Sequence, residues 1–216
     1  MQLFRSLLAI GAAAFALSAQ AADLATLSVH VQGIEPESSI PDANALCVPT
    51  ANGKSGPGQS LRPSIAWSPG PAGTKSYVVI VSDPDVPQDL TQADKPQTIP
   101  ADAPRQTFYH WVQLAIPADV ARIGGSDETA QPKVGIGAIN DVTAANPFGY
   151  GGPCPPWNDL RVHHYHFQVL ALDVASLTLP KGATGKMVAN VLPGHVLARG
   201  EVVGTYTTNA QLLHAK

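Results

Sequence analysis

The stretch Phe148–Asp173, FGYGGPCPPWNDLRVHHYHFQVLALD, decides how this chain is read, because a Gly/Pro loop runs straight into a histidine-rich segment. Gly149, Gly151 and Gly152 offer backbone angles closed to other residues and let a ligand approach the main chain, while Pro153, Pro155 and Pro156 fix φ. The loop is therefore expected to be tight and preorganised. From His163 to Asp173 the residues alternate, are rich in aromatic and aliphatic types, and include neither Gly nor Pro, which predicts a strand. Side chains two apart on a strand share a face. His163 and Tyr165 are expected on one face, and His164 and His166 on the other.

Working outward, Leu24–Val31, Leu61–Trp67, Lys75–Ser82, Phe108–Ile116 and Glu201–Thr207 read as further strands, with Lys75–Ser82 (KSYVVIVS) having the continuous β-branched character of a buried central one. Asp83–Pro87 (DPDVP) ends it, read as a turn or, if the strand continues, with Asp83 and Asp85 on one face. Gly33–Gly58 and Gly124–Pro147 read as loops, and Ser176–Pro180 as a connector. Ala118–Ile123 and His195–Gly200 are each expected to form a helical turn, and Thr184–Leu192 a short helix. There is no internal repeat and no βαβ alternation. The fold class expected is all-β, a Greek-key β-sandwich with a few short helices near the C-terminus.

The chain has 216 residues, 44% hydrophobic and 13% charged, with 20 Pro and 19 Gly, which suits one globular domain with many turns. Met1–Ala21 carries one early cation at Arg5, an apolar run Leu7–Leu17 and small residues at Ala19 and Ala21, the pattern of a secretory signal cleaved after Ala21. Residues 22–216 are then a single domain, periplasmic or secreted, with no transmembrane segment after cleavage. Cleavage removes one cation and no acid, so the formal charge becomes more negative than −3. That argues against a general nucleic-acid footprint, which needs a basic surface. Cys47 and Cys154 are either joined, as an exported protein allows, or two buried thiols. Sequence leaves both open.

Several residues carry candidate chemistry. Asp83 and Asp85, stiffened by Pro84 and Pro87, suit orienting a histidine or acid/base work, against the common use of Asp to accept turn N–H bonds. His110 sits among aromatics in FYHWVQLAI, where a histidine is more often structural. His164 and His166 raise a two-histidine metal question, but no carboxylate stands at a supporting spacing. Nucleophile signatures such as G-x-S-x-G are absent, and Cys154 beside histidines permits a Cys/His hydrolase on paper.

Taken together, Asp83-Pro84-Asp85-Val86-Pro87, His110-Trp111-Val112, Gly149-Tyr150-Gly151-Gly152-Pro153-Cys154-Pro155-Pro156 and His163-His164-Tyr165 resemble the phosphatidylethanolamine-binding protein family, and within it the bacterial Raf-kinase-inhibitor-like branch. The order, the spacing and the closing Gly194-His195-Val196-Leu197 and Gly204-Thr205-Tyr206 agree with it, over roughly Leu61–Tyr206. The resemblance implies a β-sandwich with a small pocket for phosphate or a phosphorylethanolamine-like head group. Asp83 and His110 would form its floor, supported by Asp85 and Pro87. Pro155 and Pro156 would form the rim, with His163 and Tyr165 closing the site from the second strand. On that reading an imidazolium at His110, held by Asp83, pairs with the anion, Tyr165 donates a hydrogen bond and loop glycine amides add donors. Two departures stand out: Trp157-Asn158 follow the double proline where the family often has Lys-Gly, and His164 stands where Arg is frequent. Both remove cations from the rim.

The expected function is an exported binding protein with a small anion pocket, open to modulating a protein partner. Neither a cofactor nor a metal is implied, and the oligomeric state, a homodimer included, is left open. The rival readings are a hydrolase or lyase using His110 and Asp83 as acid and base, and an interaction module whose cleft binds a protein.

Overall fold

The structure, a computed structural model, describes residues 24–125 and 134–213. The predicted signal and the centre of the Gly124–Pro147 loop lie outside those residues. Strands dominate. They are β1 (Ala25–Thr26), β2 (Val29–Val31), β3 (Cys47–Pro49), β4 (Ser55–Pro57), β5 (Ser64–Trp67), β6 (Ser76–Pro87), β7 (Arg105–Pro117), β8 (Arg122–Gly124), β9 (Ile136–Gly137), β10 (His163–Leu172) and β11 (Val196–Tyr206). The α-helices come late, α1 (Gly185–Val191) and α2 (Ala210–Leu213). Six strands form the main sheet in the order β1-β11-β10-β6-β7-β9, and β2-β5-β8 form a smaller sheet. β3 and β4 pair as a hairpin.

The two sheets enclose one core. Val31, Ile65, Trp67 and Ile123 from the small sheet meet Tyr77, Val79, Val81, Trp111, Phe167, Val169 and Val202 from the large one. The opposite face of the large sheet packs Val78, Ile80, Val112 and Leu114 against Val188 and Leu192 at α1. β6 is thus buried on both faces, which is why its sequence is continuously apolar. Each such side chain contributes about 1.5–3 kcal/mol on burial.

Local pattern and tertiary packing part company at five places, the first being Gly33–Gly58, read as a loop, which holds the β3–β4 hairpin. Leu24–Val31 is two strands: β1 pairs with β11 in the large sheet and β2 with β5 in the small one, so the chain changes sheets between them. Ala118–Ile123 is not a helical turn but leads into β8, because burial of Ile123 between the sheets outweighs a short local preference. His195–Gly200 is likewise the start of β11, where Ala198 is buried and pairs with Ala171. Asp83–Pro87 is no turn: β6 continues through it beside β7, with a register shift between Asp83 and Val86. Partnering by β10 ends at Ser82, and a bulge accommodates Pro84, which cannot donate to a ladder. α1 forms where expected, Thr184 Oγ1 accepting the Met187 N–H at 3.4 Å as its N-cap.

Candidate functional site

A cavity of about 200 Å³ opens where the end of β6, the middle of β7, the start of β10 and the Pro155-Pro156 corner meet. Of the residues singled out from sequence, Asp83, His110, Pro155, Pro156, His163 and Tyr165 line it. Asp85 and Pro87 do not: Asp85 faces Arg161 and His164 behind the wall, and Pro87 lines a neighbouring cavity. Alternation along β10 places His163 and Tyr165 inward and leaves His164 and His166 half-buried on the other face. Those two are committed separately, His164 Nδ1 to Asp85 at 2.8 Å and His166 Nδ1 to Glu201 at 2.5 Å. Among the described residues, no three His, Cys, Asp or Glu side chains are grouped as a metal site.

The floor is an ionic sandwich. His163, 1% exposed, has Nδ1 2.7 Å from Asp83 Oδ2 and Nε2 3.2 Å from Asp159 Oδ2. With a carboxylate at each nitrogen the ring carries both protons. Burial alone would lower its pKa, but hydrogen bonds to Asp159 and Asp83 and their charges push it up to about 9. Asp83 Oδ1 accepts the Asp85 N–H at 2.7 Å. Asp159 is gripped by Arg105, Nη1 to Oδ2 at 2.5 Å and Nη2 to Oδ1 at 3.1 Å. Burial works to raise the Asp159 carboxyl, yet the bonds from His163, Arg105 and the Arg161 N–H hold it below its ordinary 3.8. Asp85 is lowered in the same way, hydrogen bonds from His164 and Arg161 outweighing its burial.

His110 plays a different part from the one expected. Asp83 is occupied by His163, and His110 Nδ1 instead meets the Gly151 carbonyl at 2.7 Å. A carbonyl only accepts, so Nδ1 carries the proton. Burial lowers the His110 pKa and outweighs the Asp83 charge, leaving a neutral ring with Nε2 as an acceptor. Its edge packs against Tyr165, centroids 5.1 Å apart at 82°. Tyr165 is 1% exposed, and its hydroxyl has no hydrogen-bond partner among the described residues. Burial first, then the nearby Asp83 charge, raises its pKa well above 10, so it remains a donor, although its approach to Asp83 falls short of a hydrogen bond.

The loop glycines supply no free amides. Gly149 N–H donates to Asn146 O, Gly151 N–H to His110 O and Gly152 N–H to Ser60 Oγ. Nor do these glycines have positive φ. They are required for close approach: a Cβ on Gly152 would sit 2.1 Å from the Asn44 carbonyl oxygen. Cys154 in this loop is bonded to Cys47, their Cα atoms 4.6 Å apart.

Sequence reasoning missed the residues that organise the mouth. Asn158, 2% exposed, accepts the Asp94 N–H at 2.9 Å and donates to Gln92 O at 2.8 Å and Gln97 O at 2.6 Å. Ile99 N–H donates to Asn158 O, and Arg105 reaches Pro100 O at 2.8 Å and Ala103 O at 3.0 Å. The long segment between β6 and β7 is thereby pinned beside the cavity, and brings Leu90, Ala93 and Asp94 to its lining. The Trp157-Asn158 departure is thus a structural pin rather than a lost cation alone. Arg161 stands 2.8 Å from Asp85, and Lys54 Nζ lies 5.9 Å from the centroid of the Trp157 ring. Asp159, four residues before His163, was visible in the quoted stretch, but nothing local announces that it faces Arg105.

The sequence pattern of the family described as phosphatidylethanolamine-binding protein matches residues 32–207. A UPF0098 protein of Aquifex aeolicus is 37% identical over 149 residues, 69% of this chain and 75% of its own length. The UPF0098 protein YbcL of Escherichia coli is 32% identical over 153 residues, 69% of this chain and 73% of its length. The crystal structure of Escherichia coli YbcL, described as a new member of the mammalian PEBP family, is similar with a TM-score of 0.63 at 27% identity, covering 85% of this chain and 99% of that one. A putative homologue from Chlamydia trachomatis, CT736, has a TM-score of 0.58 at 25% identity, covering 84% and 97%.

Proposed function

Because the chain belongs to the phosphatidylethanolamine-binding protein family, we propose that it is an exported binding protein whose cavity takes the phosphate-bearing head group of a small ligand. The observation that carries this reading is the buried, unpartnered Tyr165 hydroxyl on the cavity floor beside a neutral His110. A donor left without a partner in a buried place costs about 1–3 kcal/mol, which an incoming acceptor relieves. The volume, about 200 Å³, is below the roughly 300–1,000 Å³ of pockets for drug-sized ligands, so it suits a head group and not a whole lipid.

The floor favours a monoanion. One phosphate oxygen accepts from Tyr165, and a phosphate O–H donates to His110 Nε2, or passes its proton to that nitrogen. Export is supported by the Met1–Ala21 pattern and by the Cys47–Cys154 bond, which belongs in an oxidising compartment. The hydrolase reading draws less support: Cys154 is tied up in the disulfide, and Asp83 serves His163 rather than His110.

Calorimetric titration of the purified protein with inorganic phosphate and phosphorylethanolamine, followed by product analysis, tests the reading. We expect saturable binding with the ligand intact, weakened about 10- to 100-fold in Tyr165→Phe, the worth of a hydrogen bond to a charged group. Absence of saturation, or equal affinity in Tyr165→Phe, refutes it. Breakdown of the ester favours the enzyme.

A further inference from the structure

A second space, of about 500 Å³, lies on the α1 side of the large sheet and shares no lining residue with the head-group cavity. Leu114 and Ala115 of β7 and Ile136 of the edge strand β9 line it from the sheet, and Leu177 and Leu179 line it from the connector between β10 and α1. Those two leucines also pack against the core around Val188, so the groove is the open end of that core. Two backbone bonds fix the connector to the sheet without any ligand: Ile139 N–H donates to Ala183 O at 2.8 Å, and Gly185 N–H to Ile139 O at 3.1 Å. Ile136 stands 60% exposed at its edge. Ala115 has a φ of 50°, uncommon outside glycine, where two residues of β7 stand against one of β6. Backbone held in this way clusters at ligand sites. One charged side chain lines the groove, Lys181, and no acid does. Among the described residues Lys181 makes no ion pair. A preformed, mostly apolar space with a single polar group, within the roughly 300–1,000 Å³ of small-molecule pockets, is the ordinary form of a ligand site.

We infer that this groove is a second ligand site, for a small amphiphilic carboxylate whose apolar body lies along Leu114, Ile136, Leu177 and Leu179 and whose anionic end pairs with Lys181. The site stands independently of the head-group reading. Charge chooses the ligand's polar end, because a cation there meets a like charge and a carboxylate meets its complement. Length chooses a small molecule over a peptide: β9 is two residues long, too short an edge to template an added strand. Pairing with an exposed lysine is modest and screened by salt, so burial of apolar carbon supplies most of the affinity.

The test is calorimetric titration with hexanoate, octanoate and 1-octanol at low ionic strength, in the natural protein, Lys181→Gln, Ile136→Ser and Tyr165→Phe. Lys181 and Ile136 are exposed, so both variants should keep the urea midpoint of the natural protein. Octanoate should saturate, and should bind about 4- to 16-fold tighter than hexanoate, the worth of two buried methylenes. Lys181→Gln should weaken octanoate about two- to fivefold, the scale of one solvated ion pair, and leave 1-octanol unchanged. Ile136→Ser should weaken both by about three- to tenfold through lost apolar contact. Tyr165→Phe should move neither. Absence of saturation, equal affinity of the two acids, or an octanoate affinity indifferent to both groove variants overturns the site. Loss of octanoate in Tyr165→Phe alone places it in the head-group cavity and overturns the groove. Sedimentation supplies the remaining check: a dimer that Ile136→Ser splits would mean that a second copy covers the groove, and the ligand site would fall.

Discussion

Removing the imidazolium at the floor should change how stability depends on pH. His163 sits at about 9 in the folded protein against an ordinary 6.5, and at about 1.4 kcal/mol per pH unit that gap corresponds to about 3 kcal/mol favouring the folded state. The folded pKa is raised, so this contribution is complete below about pH 6.5 and is lost as pH rises through about 9. Asp85 and Asp159 have lowered values and act at the acid end, below about pH 4, outside this window. Urea unfolding of the natural protein at intervals from pH 6 to pH 9.5 should therefore show a loss of about 3 kcal/mol, steepest between about pH 7 and 9. Both cysteines of the chain are in the disulfide, so thiol exchange does not confuse the alkaline end. His163→Gln should start lower by about 3–5 kcal/mol, because Asp83 and Asp159 lose the cation between them, and should lack the slope. A flat profile in the natural protein, or the same alkaline slope in His163→Gln, would refute the ionic sandwich.

Reducing the disulfide, or replacing it by Cys47→Ser/Cys154→Ser, should cost about 2–5 kcal/mol in urea unfolding, since it closes a loop across a sequence separation of 107. Asn158→Ala removes three hydrogen bonds to the segment between β6 and β7; hydrogen exchange at the Asp94 amide should accelerate well before that of the β6 core, with a fall in stability of about 1–3 kcal/mol. If the ligand binds with uptake of the shared proton, affinity for phosphorylethanolamine should fall about tenfold per pH unit above about pH 6.5, where both its phosphomonoester, with a second pKa of about 6, and the lowered His110 are otherwise unprotonated. A pH-independent titration would exclude the proton-sharing contact.

Much of this site was legible because strand alternation is a short-range rule. His163 and Tyr165 share a face by periodicity alone, and Pro155-Pro156 announce a rigid corner. What could not be read is pairing across the chain. Nothing in DPDVP tells whether Asp83 will meet His110 or His163, for that depends on how a bulge turns β6 relative to β7. The assignment of charge to His110 failed for this reason: a ring placed against the Gly151 carbonyl loses to burial, whereas the same ring between two carboxylates wins. The short helical readings at Ala118–Ile123 and His195–Gly200 failed where a single buried apolar residue, Ile123 or Ala198, has a partner strand waiting. Asn158 and Arg105 were invisible as pins because the partners they pin are backbone amides and carbonyls, which leave no residue-type signature.

The two pins also define what in this protein is free to vary. Asn158 holds Gln92, Asp94, Gln97 and, through its own backbone, Ile99, while the Arg105 guanidinium grips the chain again at Pro100 and Ala103. Between those fixed points Lys95, Pro96, Gln97 and Thr98 are exposed, so their side chains can be exchanged without touching the floor. Lengthening such a stretch is cheap, about 0.6 kcal/mol for each doubling of a flexible loop. Residues 95–98, which do not line the His163 cavity, can therefore be rewritten while the His163 sandwich stays as it is; Arg105→Lys, which loses the planar fork, would end that freedom.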